Sequence, residues 1–363
     1  MMETREIISI INFSGPFITA LFCLLLIIMR YKQRDSYTRT MLLRLLMVYY
    51  IAIICVSFTA FSFVYLRSVY IITNLFSMLS ILYCMVIIFH IIHLVTAIGK
   101  PKPFSFIHYL TPAIVTLIQY LWSYYFLLKT DTTIIYSNSW FLAVSSFKLG
   151  VWAIYAIFYS VYSLQKIIRY KKIIINYSAD EDRSSLKWLY TVIICTIALI
   201  PSTLLHLFLR NESALVSTFS IITNCILQFQ LVVLAYNMFT ENYVIMYPVG
   251  SNAESVNIHL SKIDKESFEQ FMREKKPYLN PELRITDLMR ELCTNRSYLS
   301  GYINKTYSMS FSRYINCCRL RELKLMQNDP KLSSYDHESL IIKAGFRSIR
   351  GYQRFTKQEG VNS

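Results

Sequence analysis

Charged residues are scarce in this chain of 363 residues. Only 16% of them are charged, against roughly 25% in a typical soluble protein, while 54% are hydrophobic and 15% are aromatic. This composition argues against a conventional soluble enzyme and favours a membrane protein.

The sequence also lacks the short motifs that most catalytic sites need. Its eight glycines form neither Gly-x-Gly nor a Gly-Lys-Ser/Thr loop, so no phosphate-cradling turn of a kinase, NTPase or dinucleotide enzyme is present. The eight cysteines show no Cys-x-x-Cys pairing, and we interpret them as reduced or buried thiols. His-Glu-x-x-His and Gly-x-Ser-x-Gly are absent as well. We therefore expect neither an enzyme nor a bound cofactor or metal.

Long apolar segments fill the first 240 residues. A bilayer core of about 30 Å needs about 20 apolar residues in a helix. The sequence offers seven such segments, which predicts an all-α, polytopic helix bundle with seven spans. They run from Ile7 to Met29, Met41 to Leu66, Ile71 to Ile98, Ile107 to Leu128, Phe141 to Leu164, Leu189 to Leu209 and Ala214 to Phe239.

The basic residues between the spans predict the orientation. The first, third and fifth loops carry twelve Lys and Arg, whereas the second, fourth and sixth carry only Arg67, Lys129 and Arg210. Basic loops stay on the cytoplasmic side of the membrane. The bias therefore predicts an N-terminus outside and a cytoplasmic C-terminus.

A different composition begins after the last span. The final 113 residues hold 19 Lys and Arg and 13 Asp and Glu, which is typical of a soluble domain. We divide the chain into a membrane domain over residues 1–240, a linker over 241–263 and a cytoplasmic domain over 264–363. The net charge of the last part permits a nucleic acid or anionic lipid as partner.

Short amphipathic helices follow one another in the C-terminal part. Asn280 and Pro281 are typical of a helix start, and Ile285, Leu288, Met289 and Leu292 recur at helical spacing. A polar break over residues 294–296 precedes a second short helix. This pattern predicts a helix-turn-helix. A longer helix over 311–327 and a second helix-turn-helix near residues 340–356 follow.

Several motifs follow one another in this part of the chain. They are Tyr278-Leu-Asn-Pro, Leu288, Asn295-Arg-Ser-Tyr-Leu-Ser, Ile303-Asn, Phe311-x-x-Tyr-Ile-Asn, Arg319, Gly345-Phe-Arg-Ser and Arg354. Their order resembles the AraC/XylS family of bacterial transcription regulators over about residues 265–360. The resemblance implies two helix-turn-helix subdomains joined by the helix over 311–327, each offering a recognition helix to the major groove of DNA. Three positions that hold small alanines in the family hold Met289, Leu323 and Ile341 here.

Candidate DNA contacts remain when the predicted core positions of each recognition helix are removed, which are Leu299 and Ile303 in the first and Tyr352 in the second. Arg and Asn suit bidentate contacts to guanine and adenine, and Lys suits phosphate. A solvated basic face is the alternative interpretation of these residues. The candidates are Asn295, Arg296, Ser297, Ser300, Gly301, Asn304 and Lys305 in the first helix, and Arg347, Ser348, Arg350, Gly351, Arg354 and Lys357 in the second.

A second set of candidates lies within the spans. His90 and His93 are spaced to reach one metal ion with His206 as a third ligand, although packing and hydrogen bonding between helices is the commoner role of such residues. Lys148 is either a counter-ion for an anionic ligand or a side chain that reaches the interface. Asn74, Asn224 and Gln228 either line a polar cavity or join helices by hydrogen bonds.

The sequence as a whole predicts a one-component regulator in the inner membrane of a bacterium. Its partners would be double-stranded DNA, the lipid bilayer and a small-molecule, lipid or protein signal. One alternative is a transporter or receptor whose tail is a protein-interaction module. Another is a plain membrane anchor that only holds the regulator in place.

Overall fold

The computed structural model describes residues 2–31, 37–65, 70–98, 103–129, 138–208, 213–246, 263–332 and 334–360. The chain is all-helical over these ranges. It divides into two compact units, the first built from residues 1–95, 102–167 and 187–241, and the second from 96–101, 168–186 and 242–363. Residues 168–186 thus group with the C-terminal residues, which the sequence division at residue 240 did not anticipate.

Long apolar helices form the first unit. Six of the helices are long and apolar enough to cross a membrane, among the residues described; α4 is formed as well but is not one of these six. The helices are α1 Met2–Tyr31, α2 Tyr37–Tyr65, α3 Tyr70–Val95, α4 Ile107–Lys129, α5 Asn138–Ile174, α7 Lys187–Phe208 and α8 Ser213–Phe239, with the short α6 Glu181–Ser184 between α5 and α7.

Large apolar side chains remain exposed on the outside of these helices. Phe22 on α1 is 61% exposed and Ile154 on α5 is 67% exposed. So much exposed apolar surface is unfavourable in water and is expected where helices face lipid. The exposure pattern therefore agrees with a membrane protein.

In the first unit, the first apolar helix packs against both the second and the last. Helix α1 packs against α2 and α8, and the buried Tyr50 of α2 donates a hydrogen bond to the carbonyl of Leu231 in α8 at 2.8 Å. Glu241, just after α8, pairs with Arg30 at 2.6 Å and with Arg39 at 3.1 Å. The end of α1, the start of α2 and the end of α8 consequently lie at the same end of this unit.

Helix α5 is longer than the predicted span. Its 37 residues continue ten residues past Leu164, through Lys166, Arg169, Lys171 and Lys172. Lys and Arg are good helix formers, and cations are favourable near a helix C-terminus. The apolar run predicts only where α5 leaves the membrane, and the helix itself continues beyond that point.

Short helices build the second unit around two apolar clusters. Leu299, Ile303, Phe311 and Ile315 are fully buried in the first. The second cluster contains Leu323, Leu340, Ile341, Ala344, Phe346, Tyr352 and Phe355. The helices are α9 Lys265–Lys275, α10 Ile285–Glu291, α11 Arg296–Tyr307, α12 Phe311–Gln327, α13 His337–Lys343 and α14 Ile349–Glu359, with 3-10 turns at Pro277–Leu279 and Pro330–Leu332.

The residues that depart from the family's alanines fit this core. Met289, Leu323 and Ile341 are 6%, 1% and 1% exposed. They pack as part of the apolar interior, so a larger side chain at each position is accommodated.

The segment that follows α5 pairs with the backbone of the C-terminal helices. An isolated antiparallel bridge joins Ser178 and Arg284. The Ala179 amide donates to the Leu283 carbonyl at 3.1 Å, and the Ile285 amide donates to the Tyr177 carbonyl at 2.9 Å. This loop between the predicted fifth and sixth spans is therefore an integral part of the second unit.

Helix α10 begins at Ile285 rather than at Pro281. Residue Arg284 is still extended because it takes part in the bridge to Ser178. The Asn280 carbonyl, which a helix starting at Pro281 would have used, accepts a hydrogen bond from Arg319 at 2.8 Å. Tertiary contacts thus delay the helix that the Asn-Pro pair predicted.

Candidate nucleic-acid interface

Helix α11 is positioned by its buried face and by a cap at its first residue. Leu299 and Ile303 are fully buried, as predicted. The Asn295 side chain accepts a hydrogen bond from the Tyr298 amide at 2.8 Å, which is the usual role of Asn at a helix N-cap. Asn295 therefore has a structural role in addition to its predicted contact with DNA.

The opposite face of α11 carries the remaining candidates. Arg296 lies over the ring of Tyr177, with 5.2 Å between its guanidinium carbon and the ring centroid. The Asn304 amide nitrogen donates to the Ser300 carbonyl at 2.9 Å and the side chain remains exposed. Ser297, Gly301 and Lys305 are exposed too, and Ser300 is half-buried.

Helix α14 has the same division between a buried and an exposed face. Tyr352 and Phe355 are buried against the second apolar cluster. Arg350 and Lys357 are exposed. Ser348 caps the helix, since its Oγ accepts a hydrogen bond from the Gly351 amide at 3.0 Å.

Carboxylates from elsewhere in the second unit hold the other candidates at the start of α14. Arg347 pairs with Asp180 at 3.2 Å and with Glu282 at 2.8 Å. Arg354 pairs with Asp182 at 2.9 Å, and the Ser348 hydroxyl donates a short hydrogen bond to the same carboxylate. Three of the six candidates in this region are thus already engaged by acidic groups.

The acidic loop approaches the backbone of Gly351, another of the predicted contacts, closely. A Cβ atom at this position would lie 2.9 Å from Asp182 Oδ2 and 3.3 Å from Ser348 Oγ. Because glycine has no Cβ atom, the Asp182 carboxylate can approach the backbone at this position.

The pKa values of the two other carboxylates move in opposite directions. Burial raises the pKa of Asp180 above its usual range, against the opposing effects of the Arg183 amide and the Arg347 guanidinium. The hydrogen bond from Arg347 lowers the pKa of the more exposed Glu282. Arg347 therefore forms ion pairs with one buried carboxylate, Asp180, and one exposed carboxylate, Glu282.

The buried side chain of Arg319 on α12 joins separate segments of the second unit by hydrogen bonds. It is 2% exposed, and its guanidinium donates to the carbonyls of Tyr278, Asn280 and Ala179 and to Asn316 Oδ1 at 2.8–3.1 Å. A buried guanidinium is tolerated when its donors are satisfied in this way. The resemblance named this arginine, but only the structure gives its partners.

Sequence reasoning missed Asp180, Asp182 and Glu282 as members of this surface. A signal existed: the first 250 residues contain nine Asp and Glu, and three of them are the consecutive residues 180–182. An acidic run within the most basic loop of the chain is unusual. The charge count for topology used only the loop's Lys and Arg, so the run was passed over.

The two histidines of α3 lie in an aromatic cluster of the first unit. Their ring centroids are 6.3 Å apart. His90 stacks on Phe104 at 3.9 Å and its Nδ1 is 2.6 Å from the Tyr109 hydroxyl, while His93 Nδ1 is 2.9 Å from Lys166 Nζ. These contacts fit packing and hydrogen bonding between segments, which was one of the two predicted roles.

Two other polar candidates of the spans contact side chains of neighbouring helices. Lys148 Nζ lies 3.5 Å from Ser77 Oγ, and Gln228 accepts a hydrogen bond from Thr19 at 3.2 Å. Asn74 is buried and Asn224 is half-buried. The His206 side chain lies outside the described residues. Among the residues described, no three His, Cys, Asp or Glu side chains are grouped closely enough to hold a metal ion.

The chain was compared with protein-family models, curated proteins and solved structures. No family model, curated protein or solved structure matches this chain. The resemblance to AraC/XylS regulators accordingly rests on the motifs given above and on nothing else.

Proposed function

We propose that the chain is a membrane-bound, one-component transcription regulator that binds promoter DNA sequence-specifically. In this proposal α10–α11 and α13–α14 are two helix-turn-helix units joined by α12, and α11 and α14 are the recognition helices. The seven predicted spans hold the regulator in the inner membrane of a bacterium and receive the signal.

The observation that carries the proposal is that the second helix of each pair has one buried apolar face and one polar, basic face. In each pair the second helix buries one apolar face, with Leu299 and Ile303 in α11 and Tyr352 and Phe355 in α14. Polar and basic side chains cover the other face near the N-terminal end, where recognition helices of this kind contact base edges. Arg350 in the first turn of α14 and Asn304 in the third turn of α11 are exposed on these faces, and they have the chemistry for guanine and adenine.

The membrane part supports a cytoplasmic position for the second unit. Twelve of fifteen loop Lys and Arg lie in the odd loops, the side on which the chain emerges after a seventh span. The ion pairs of Arg30 and Arg39 with Glu241 are consistent with this, because they bring the end of α1, the start of α2 and the end of α8 to one end of the first unit. DNA is then accessible to α11 and α14.

A population shift is the mechanism that we propose for regulation. A ligand, lipid or protein that binds one arrangement of the spans more tightly would favour that arrangement. The segments that leave the spans and enter the second unit would pass the change to the DNA-binding helices.

The test is DNA binding by the full chain in lipid nanodiscs. We expect binding to mixed-sequence duplex DNA to weaken about 100-fold or more between about 50 and 200 mM salt, because Lys and Arg release counterions from phosphates. Protein in which Arg350, Arg354 and Lys357 are all replaced by Ala is the matched control and should bind far more weakly. An intact chain that binds no duplex DNA at low salt would favour a protein-interaction tail instead.

A further inference from the structure

The loop between α5 and α7 brings negative charge to the start of α14. It holds the consecutive acids Asp180, Glu181 and Asp182 among six Lys and Arg that lie between residues 166 and 187. Backbone hydrogen bonds to Leu283 and Ile285 hold the residues just before these acids in place. Asp180 and Asp182 are therefore held beside the second proposed recognition helix.

Asp182 makes the contacts at α14 that a phosphate would make. One of its carboxylate oxygens pairs with Arg354 at 2.9 Å, and the other accepts the Ser348 hydroxyl hydrogen bond. Arginine, a hydroxyl group and the first turn of a helix are the groups that usually contact DNA phosphates. Gly351 keeps the site open to an anion, because a Cβ atom there would lie 2.9 Å from the carboxylate oxygen.

Ion pairs next to Asp182 also place carboxylates against Arg347, just before α14. Asp180 is buried, and it shares Arg347 with Glu282. Arg347 and Arg354 are therefore both neutralised by carboxylates of the same unit, at the helix end that would meet the groove. Arg350 and Lys357 on the same helix remain exposed.

We propose that Asp182 is an internal competitor for DNA phosphate at the start of α14, and that loop docking and DNA binding by this helix exclude each other. The inference rests on the proposed function, since it concerns the same DNA-binding surface. The anion site consists of Ser348, Arg354 and the space above Gly351. Since the loop joins α5 to α7, a rearrangement of these two helices reaches the DNA-binding surface through the loop itself.

The experiment uses Asp182→Asn in the full chain, reconstituted in nanodiscs, with a fluorescent mixed-sequence DNA duplex as the probe. The substitution keeps the shape of the side chain but removes the charge that pairs with Arg354. We expect the Kd for DNA to fall about tenfold, because a charge-assisted contact no longer opposes binding. Glu338→Gln, at an exposed position of α13, removes the same charge without touching the loop and should change the Kd less than about twofold.

Hydrogen exchange provides a second measurement on the intact wild-type chain. The Ala179 amide of the loop donates to the Leu283 carbonyl, and the Ile285 amide donates to the Tyr177 carbonyl of the loop. If DNA displaces the acidic loop, these amides should exchange faster when duplex DNA is bound. Unchanged or slower exchange upon DNA binding would contradict the proposal.

The outcomes separate this inference from the function on which it rests. If the wild type, Asp182→Asn and Glu338→Gln all bind DNA equally well, the internal competitor is wrong and DNA binding stands. If Asp182→Asn and Glu338→Gln tighten binding to the same extent, the effect is one of net charge and the inference again fails. If no variant binds DNA at low salt, both proposals fall.

Discussion

At the scale of single residues, Gly345 shows how closely the second helix pair is fitted to the rest of its unit. Its φ of 96° lies in the region that favours glycine. A Cβ atom there would lie 2.3 Å from the Tyr278 carbonyl oxygen and 2.8 Å from the Leu279 Cα. The end of α13 thus rests directly on the backbone whose carbonyls Arg319 also holds.

We predict that Gly345→Ala lowers the free energy of unfolding of the second unit by about 2 to 4 kcal/mol, through strain and displacement of the Tyr278 backbone. The matched control is Gly301→Ala within α11, where an added Cβ meets nothing within 4 Å. That change should be neutral or stabilising by about 0.5 to 1 kcal/mol. Hydrogen exchange of the α13 amides in denaturant measures both effects, and equal stabilities would disprove the fit at Gly345.

At the scale of elements, α11 and α14 share an amphipathic pattern but differ in what surrounds their exposed faces. The α11 candidates Ser297, Gly301 and Asn304 are exposed. The candidates Arg347 and Arg354 of the α14 region are paired with acids. If α14 binds DNA as proposed, these acids would limit its access to DNA, whereas in the described part of the chain no such pairing covers Ser297, Gly301 and Asn304 of α11.

We predict that Arg350→Ala and Asn304→Ala relax sequence preference at particular base pairs, by about 1 to 3 kcal/mol for a good bidentate contact. Lys357→Ala, one to two turns further along α14, should weaken binding to all sequences alike and reduce the salt slope by about one. Binding-site selection with the three full-length variants measures these effects. If Arg350→Ala only lowers affinity and leaves the selected motif unchanged, α14 is a backbone clamp and α11 alone reads sequence.

At the scale of the whole molecule, the function requires that the second unit face the cytoplasm. We predict that a reporter active only in the cytoplasm works when fused after Ser251, and that one active only outside works when fused after Thr132. The reason is the excess of Lys and Arg in the odd loops. The reverse pattern of reporter activity would place the proposed DNA-binding helices outside the cell and exclude the function.

The sequence by itself determined the helical class, the apolar segments and the buried faces of the short helices. Helix periodicity and hydrophobic length are local properties, because the side chains that decide them lie within one or two turns of each other. Leu299, Ile303 and Tyr352 were predicted as core positions for this reason, and all three are buried.

Only the tertiary structure decided where α10 begins and what neutralises α14. Asp180 and Asp182 are more than 160 residues from Arg347 and Arg354 in the chain, and no local pattern relates them. The bridge to Ser178 keeps Arg284 extended before α10, and Arg319 takes its carbonyl partners from Ala179, Tyr278 and Asn280, all at least 39 residues away in the chain. Ion pairs and buried hydrogen bonds depend on where the backbone places distant groups, so their partners become visible only when the chain is folded.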